Sequence, residues 1–419
     1  MAMNLPPMVS TPTTAPPAST YATPHSASFG RYIEAGLQEM LTRVAATENL
    51  VDEEDRQQAW HLLSFALDVE VSWPATRALL LALAPKMEQA GFRADWLLYL
   101  EQGVQASRQQ CDRLAEAELA LQIGIVQRLM SNFERAHRWL TVSLEQSAAL
   151  NQLRNQARVL NELAWLDYLQ QHYQAAVEHV EQAMTKLDHE DAERGMSYRV
   201  LGMIAINQER WQEAEIYHRQ ALAAFEAQGD VRKIARGLAN LAGALLGQER
   251  LQEAIVYYQQ VAALFEEVGD SYHLAIVQMN LGRTYYQDHQ LHQAILYYHQ
   301  AEVLLRKLHD RLNLAHTYTN LGNCNRTLLS LTVAEENFVA AMALYEELGE
   351  SGWHLNAMDG LVMTLLADQR FDQALEWLER ALAILPTVQH TSNYAYLCRS
   401  LNEHLAEAKR GQEHRSRHS

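Results

Sequence analysis

The stretch Asn280–Ala301 reads NLGRTYYQDHQLHQAILYYHQA. Its tyrosines (Tyr285, Tyr286, Tyr297, Tyr298) and histidines (His289, His292, His299) form either a chemical centre or the inside of a helical hairpin. Spacing separates the two readings. Histidines that hold a metal from a helix share a face at i and i+4, and the ion needs further ligands with fixed neighbours. His289, His292 and His299 share no such face, and the spacing puts His289 and His292 at a turn and the start of the next helix. Tyr285 and Tyr298 instead occupy positions that recur along the chain, which marks them as packing residues. Tyr286 falls on the other face of its helix, open to a ligand.

The recurrence has a period of 40. Leu281–Gly282 follows Leu241–Ala242 and Leu201–Gly202, and precedes Leu321–Gly322 and Leu361. Two weaker copies lie earlier, at Leu163–Ala164 and Ile123–Gly124. Thirteen residues after each reference position stands alanine: Ala136, Ala176, Ala214, Ala254, Ala294, Ala334 and Ala374. Seventeen after stands a ring in the middle copies, Tyr258, Tyr298 and Phe338, with His218 as the exception. Small residues at fixed places let two helices approach, and a large ring fills the space beside them. Between copies come Gly229–Asp230, Gly269–Asp270, His309–Asp310 and Gly349–Glu350. Glycine suits the left-handed position that ends a helix, and aspartate caps the next one. The pattern predicts stacked antiparallel helix pairs, each covering the open apolar face of its neighbour.

Bulk properties agree. A chain of 419 residues is too long for one compact core, and with 9 prolines, six of them before residue 30, it reads as all-α. The net charge of −17 disfavours nucleic acid and anionic membranes as partners. Cys111, Cys324 and Cys398 are far apart and unpaired in number, which fits a reducing cytoplasm and argues against a zinc site. No apolar run is long enough to span a bilayer. The Pro/Thr/Ser-rich residues 1–30 read as a disordered tail rather than a signal peptide.

Leu281, Gly282, Tyr285, Ala294, Tyr298 and Ala301, with Pro386 closing the last copy, resemble the tetratricopeptide repeat family. The 40-residue stride exceeds that family's usual 34. It is similar to the long repeats of kinesin light chains and of bacterial maltose-regulator-type sensor arrays. The resemblance implies a right-handed α-solenoid. It divides the chain into the tail 1–30, divergent capping hairpins 31–114, seven repeats 115–390, a capping helix 391–410 and a frayed tail 411–419.

In that family the first helix of each pair lines a concave groove. Offsets −5, −2, −1, +2, +5 and +6 from the reference residue share one helical face. The −1 offset gives Asn240, Asn280 and Asn320. An amide that donates and accepts can grip a peptide unit, and the resemblance implies that use. Alternatively, Asn-Leu-Gly belongs to the repeat's local consensus. The same face carries Arg128, Arg158, Arg199, Arg236, Arg283, Arg326 and His316 against Glu118, Glu162 and Asp359. Arginine forks match carboxylates, so an acidic peptide is the expected ligand, unless these arginines pair with acids of neighbouring repeats. Asn323 and Tyr286 complete the candidate peptide-binding set, and Trp165, Tyr168, Met203, Ile276 and Met279 add apolar lining.

No phosphate-binding loop, Gly-x-Ser-x-Gly, His-Glu-x-x-His or Cys-x-x-Cys occurs, so no catalytic residue, metal or cofactor is expected. Residues 31–114 carry no evident catalytic pair, although similar regulators hold a phosphatase activity in an N-terminal bundle. The expected function is a cytoplasmic protein-interaction scaffold. The alternative is a regulatory module sensing a small ligand or signal peptide, working with an ATPase or DNA-binding chain.

Overall fold

The computed structural model describes residues 24–46, 51–69, 72–90, 92–391 and 393–418. These residues are helical throughout, and they fall into two compact units, Met1–Asn151 and Gln152–Ser419.

The first unit holds α1 (Pro24–Ala46), α2 (Glu53–Ala66), α3 (Trp73–Ala90), α4 (Arg93–Gln109), α5 (Arg113–Leu129) and α6 (Phe133–Ala149). Leu37, Leu63, Leu80, Trp96 and Leu100 form its core, which continues through Leu119, Ile123 and Val126 of α5. The first helix pair, α5 with α6, therefore shares its core with the preceding helices.

The second unit holds six pairs: α7 (Leu153–Leu169) with α8 (Tyr173–Thr185), α9 (Arg194–Asn207) with α10 (Trp211–Gln228), α11 (Val231–Gly247) with α12 (Leu251–Glu267), α13 (Ser271–Gln287) with α14 (Leu291–Leu308), α15 (Arg311–Thr327) with α16 (Leu331–Leu348), and α17 (Ser351–Ala367) with α18 (Phe371–Ile384). A 3-10 turn, Leu385–Val388, and α19 (Tyr394–His418) close it. Each helix packs on the next in sequence, an α-solenoid of stacked hairpins.

The repeat positions explain the packing. A Cβ on Gly282 would lie 2.7 Å from Tyr298 Cε1, and one on Gly322 would lie 2.8 Å from Phe338 Cζ. The Tyr298 and Phe338 rings of the second helices thus rest on glycines of the first. The turn inside each hairpin holds one left-handed residue at the same place, Gln171, Glu209, Glu249, His289, Leu329 and Gln369, with φ of 57° to 64°. His289 therefore serves the turn. His292 is exposed, and His299 Nδ1 lies 2.9 Å from Glu302 Oε2. Tyr285 stacks on Tyr297 with ring centroids 5.3 Å apart, and Tyr298 is buried. Between hairpins, Gly229, Gly269, His309 and Gly349 are left-handed, and Asp230, Asp270 and Asp310 accept the backbone N–H of Lys233, His273 and Asn313.

Two expected boundaries are corrected. Residues 24–30, assigned to the disordered tail, are the first turns of α1. The apolar stripe of Ile33, Leu37 and Met40 extends back to Phe29, whose ring meets Phe65 edge-on at 6.1 Å, and Pro24 sits at the start, where its missing N–H is harmless. The remainder of that tail, 1–23, lies outside the described residues. Residues 411–418, expected to fray, continue α19. Gly411 lies against the Phe371 ring, Gln412 Nε2 donates to Asp372 at 2.6 Å and Arg415 donates to the Gln369 carbonyl at 3.3 Å.

His218 fills the ring slot of its hairpin, pressed against Gly202, where a Cβ would lie 2.4 Å from its Cε1. It is fully buried, and neither ring nitrogen has a hydrogen-bond partner among the described residues. Burial, with Arg199 nearby, pushes its pKa down from 6.5 to about 4. As pH falls below 6.5 the unfolded chain takes up this proton first, so the stability present above that pH is lost progressively toward pH 4. Between pH 7.5 and 5 this single group is expected to cost about 2 kcal/mol. His218→Phe, which adopts the ring used at Phe338, is expected to be the more stable protein and to flatten the acid limb. Denaturant midpoints across pH check this, and parallel pH profiles for the two proteins would refute it.

Candidate functional site

The first helices of the hairpins bury one side and leave another accessible. In α13, Ala275, Val277, Leu281, Gly282, Thr284 and Tyr285 are buried. Ile276, Met279, Asn280, Arg283 and Tyr286 remain accessible on one stripe. The stripe follows from the 3.6-residue period, because both neighbouring helices lie on the opposite side. The first helices α11, α13 and α15 share one apolar cluster, with Leu241, Leu281 and Leu321 at its centre. Tyr286 of α13 reaches Thr327 of α15, OH to Oγ1, at 3.5 Å.

Asn240, Asn280 and Asn320 stand at equivalent places on α11, α13 and α15, all half-buried. Their side-chain amides form no hydrogen bond among the described residues. Asn161 of α7 behaves differently: it donates to the Glu193 carbonyl at 3.3 Å and accepts from Ser197 Oγ at 2.7 Å. Polar amides withdrawn from solvent normally find partners, so three in register with none are groups that a ligand backbone can satisfy.

Of the candidate cations, Arg283 is exposed and Arg326 half-buried, and neither has a carboxylate partner among the described residues. Arg326 Nε is buried without an acceptor among the described residues. Asn323, one position toward the same stripe of α15, also keeps a free amide. Arg236 is exposed on α11. Arg199 lies over the Trp165 ring, 3.9 Å from its centroid, and Trp165 stacks on Tyr168 at 4.8 Å. That arrangement presents a cation on an aromatic platform.

Two residues assigned to that face are held by contacts within the protein. His316 is held by the Tyr345 hydroxyl at 2.7 Å and by the Trp353 ring at 4.6 Å, and burial lowers its pKa, so it is no cation at neutral pH. Asp359, counted among the acids of the open face, is buried beneath α19, where Ser400 Oγ donates to it at 2.7 Å and His404 Nδ1 lies 2.8 Å away. Its removal leaves the open face of the second unit richer in arginine than the sequence count implied. The reading also missed Trp353 and Gln278. Trp353 stands eight residues before Leu361, outside the offsets considered, and Gln278 Oε1 is buried beside the stripe without a donor.

Tetratricopeptide repeat models match residues 195–227, 233–307 and 313–387. No curated protein matches the chain. Several solved structures share the fold. A Rap protein complexed with Competence and Sporulation Factor is 14% identical, with a TM-score of 0.53, over 91% of this chain and 99% of that one. Aspartyl phosphate phosphatase F from Bacillus subtilis is 13% identical, with a TM-score of 0.50, over 87% and 96%. A signal transduction ATPase with a tetratricopeptide repeat sensor from Pyrococcus horikoshii is 12% identical, with a TM-score of 0.58; the alignment covers 93% of this chain but 62% of that one. At these identities the likeness is one of fold. Among the described residues no helix is long and apolar enough to cross a membrane.

Proposed function

We propose that this chain, which through residues 195–387 belongs to the tetratricopeptide repeat family, holds an extended acidic peptide segment of another protein. The peptide lies along the open stripes of α9, α11, α13 and α15. The observation that carries this reading is the set of three unpartnered amides, Asn240, Asn280 and Asn320, one per repeat. A peptide in extended form repeats its N–H and C=O groups regularly, so a regular row of amides suits it. Arg283 and Arg326, without carboxylates of their own, supply the preference for acidic side chains. Ile276, Met279 and Tyr286 supply apolar contact. The reading is non-enzymatic, without metal or cofactor, and excludes nucleic acid and membrane as partners on the charge of −17. Three free cysteines fit a cytoplasmic setting.

A random peptide display library selected on the protein tests the ligand class. Recovered sequences should be rich in Asp and Glu. Changing those acids to Asn and Gln should weaken binding by at least about tenfold, or 1.4 kcal/mol. Selected peptides that lack acids, or that bind equally well after the change, would remove the acidic preference.

A regulatory version of the same module is the second reading. It is favoured by the likeness to the Rap protein complexed with Competence and Sporulation Factor, which extends over both units of this chain. There the bound segment is a signal rather than a client. A change in protease sensitivity of the first unit on peptide binding would support it.

A further inference from the structure

In the first unit, α4, α5 and α6 enclose a pocket of about 340 Å3 that the peptide-binding stripe does not involve. Gln127 of α5 contributes to its wall and is 1% exposed. Asn132 Nδ2 donates to Gln127 Oε1 at 2.9 Å, which fixes the amide's orientation. Gln127 Nε2 is left buried as a donor without an acceptor. A buried donor of this kind needs an acceptor, and the described residues provide none.

The surrounding charges indicate what the acceptor is. Arg135 and Arg138, i and i+3 on α6, line the same pocket, and neither has a carboxylate partner among the described residues. Like charges at that spacing repel, so the pair is unfavourable until an anion joins it. Arg108 of α4 adds a third guanidinium, with its Nε on Glu116 at 2.7 Å. Trp139 gives the pocket a flat aromatic wall, and Glu101 is the acid at its edge.

We propose that this pocket binds a phosphate monoester carried on an aromatic group. Arg135 and Arg138 fork onto the phosphate oxygens, Gln127 Nε2 donates to a third, and Trp139 stacks with the ring. A phosphate offers three terminal oxygens to three donor groups, one more than a carboxylate has. The same chemistry comes from a free mononucleotide or from a phosphorylated tyrosine side chain.

Calorimetric titration of the full chain with phenyl phosphate, adenosine monophosphate and benzoate tests the assignment. One phosphate ester is expected to bind at one equivalent. Arg135→Ala and Arg138→Ala, both at exposed positions and so harmless to folding, should each weaken it by at least about tenfold. Gln127→Met should also weaken it, and Glu101→Gln should strengthen it. Tighter binding of adenosine monophosphate identifies the free nucleotide as the source, and tighter binding of phenyl phosphate identifies the tyrosine ester. Absence of heat with both esters at millimolar concentration, benzoate binding as tightly as phenyl phosphate, or affinity unchanged in the arginine variants would each overturn the proposal.

Discussion

Gly322→Val is expected to destabilise the second unit by about 3 kcal/mol, although it removes a glycine from the middle of a helix. Glycine in a helix ordinarily costs about 1 kcal/mol relative to alanine, so the usual direction is reversed. The cause is Phe338. Its Cζ, Cε1 and Cδ1 lie 2.8, 2.9 and 3.0 Å from a Cβ built at Gly322. A Cβ at Gly360 would meet the same ring at 2.4 Å. The ring is fully buried between α15 and α17 and has no free space to turn into. Valine must therefore displace a side chain that two helices hold in place. Gly243→Ala is the contrasting control, because the nearest atom to its Cβ is the Tyr258 hydroxyl at 3.7 Å, and it should stabilise by about 0.5–1 kcal/mol. The double variant Gly322→Val/Phe338→Leu should be less destabilised than the sum of its parts, by about 1 kcal/mol or more. Denaturant unfolding of the native chain, Gly322→Val, Phe338→Leu, the double variant and Gly243→Ala measures all three quantities. Additive effects, or a gain from Gly322→Val, would mean that ring and glycine are not packed against each other.

The same contacts explain what the sequence made legible. Leucine, glycine, alanine and ring recur at 40 residues because each position meets the same neighbour in every hairpin, so the helix pairs and their Gly–Asp junctions could be read directly. The stripe of Ile276, Met279, Asn280 and Arg283 followed from helical periodicity alone. What escaped reading depends on contacts that no period announces. The burial of Asp359 is set by α19, from outside the repeats, through Ser400 and His404. His316 is taken by Tyr345 of the next helix and Trp353 of the next hairpin. The extension of α1 to Pro24 depends on Phe29 meeting Phe65 of α2, and composition alone made that segment look like a polar tail. The pocket around Gln127 has no sequence motif, because its residues come from three helices in the irregular first unit.

Replacing Asn240, Asn280 and Asn320 together by alanine is the second large effect expected. Each amide stands half-buried, without a side-chain partner, at the same place in successive hairpins. Removing them deletes no internal hydrogen bond of the side chains, and alanine is the better helix former, so the fold should be retained or slightly strengthened. The bound peptide, however, would lose the donors and acceptors facing its backbone. At about 1 kcal/mol for each hydrogen-bonding amide, the three together account for about a hundredfold in affinity. Arg283→Ala, by contrast, should weaken acidic peptides and spare neutral ones, since it acts on side chains rather than on the backbone.

The decisive measurement is calorimetric titration of one display-selected peptide into the native chain and into the triple asparagine variant, with helical content followed in parallel. A loss of about a hundredfold with unchanged helicity is the result expected of amides that hold a peptide backbone. Equal affinity for the two proteins would place the peptide elsewhere and contradict that role.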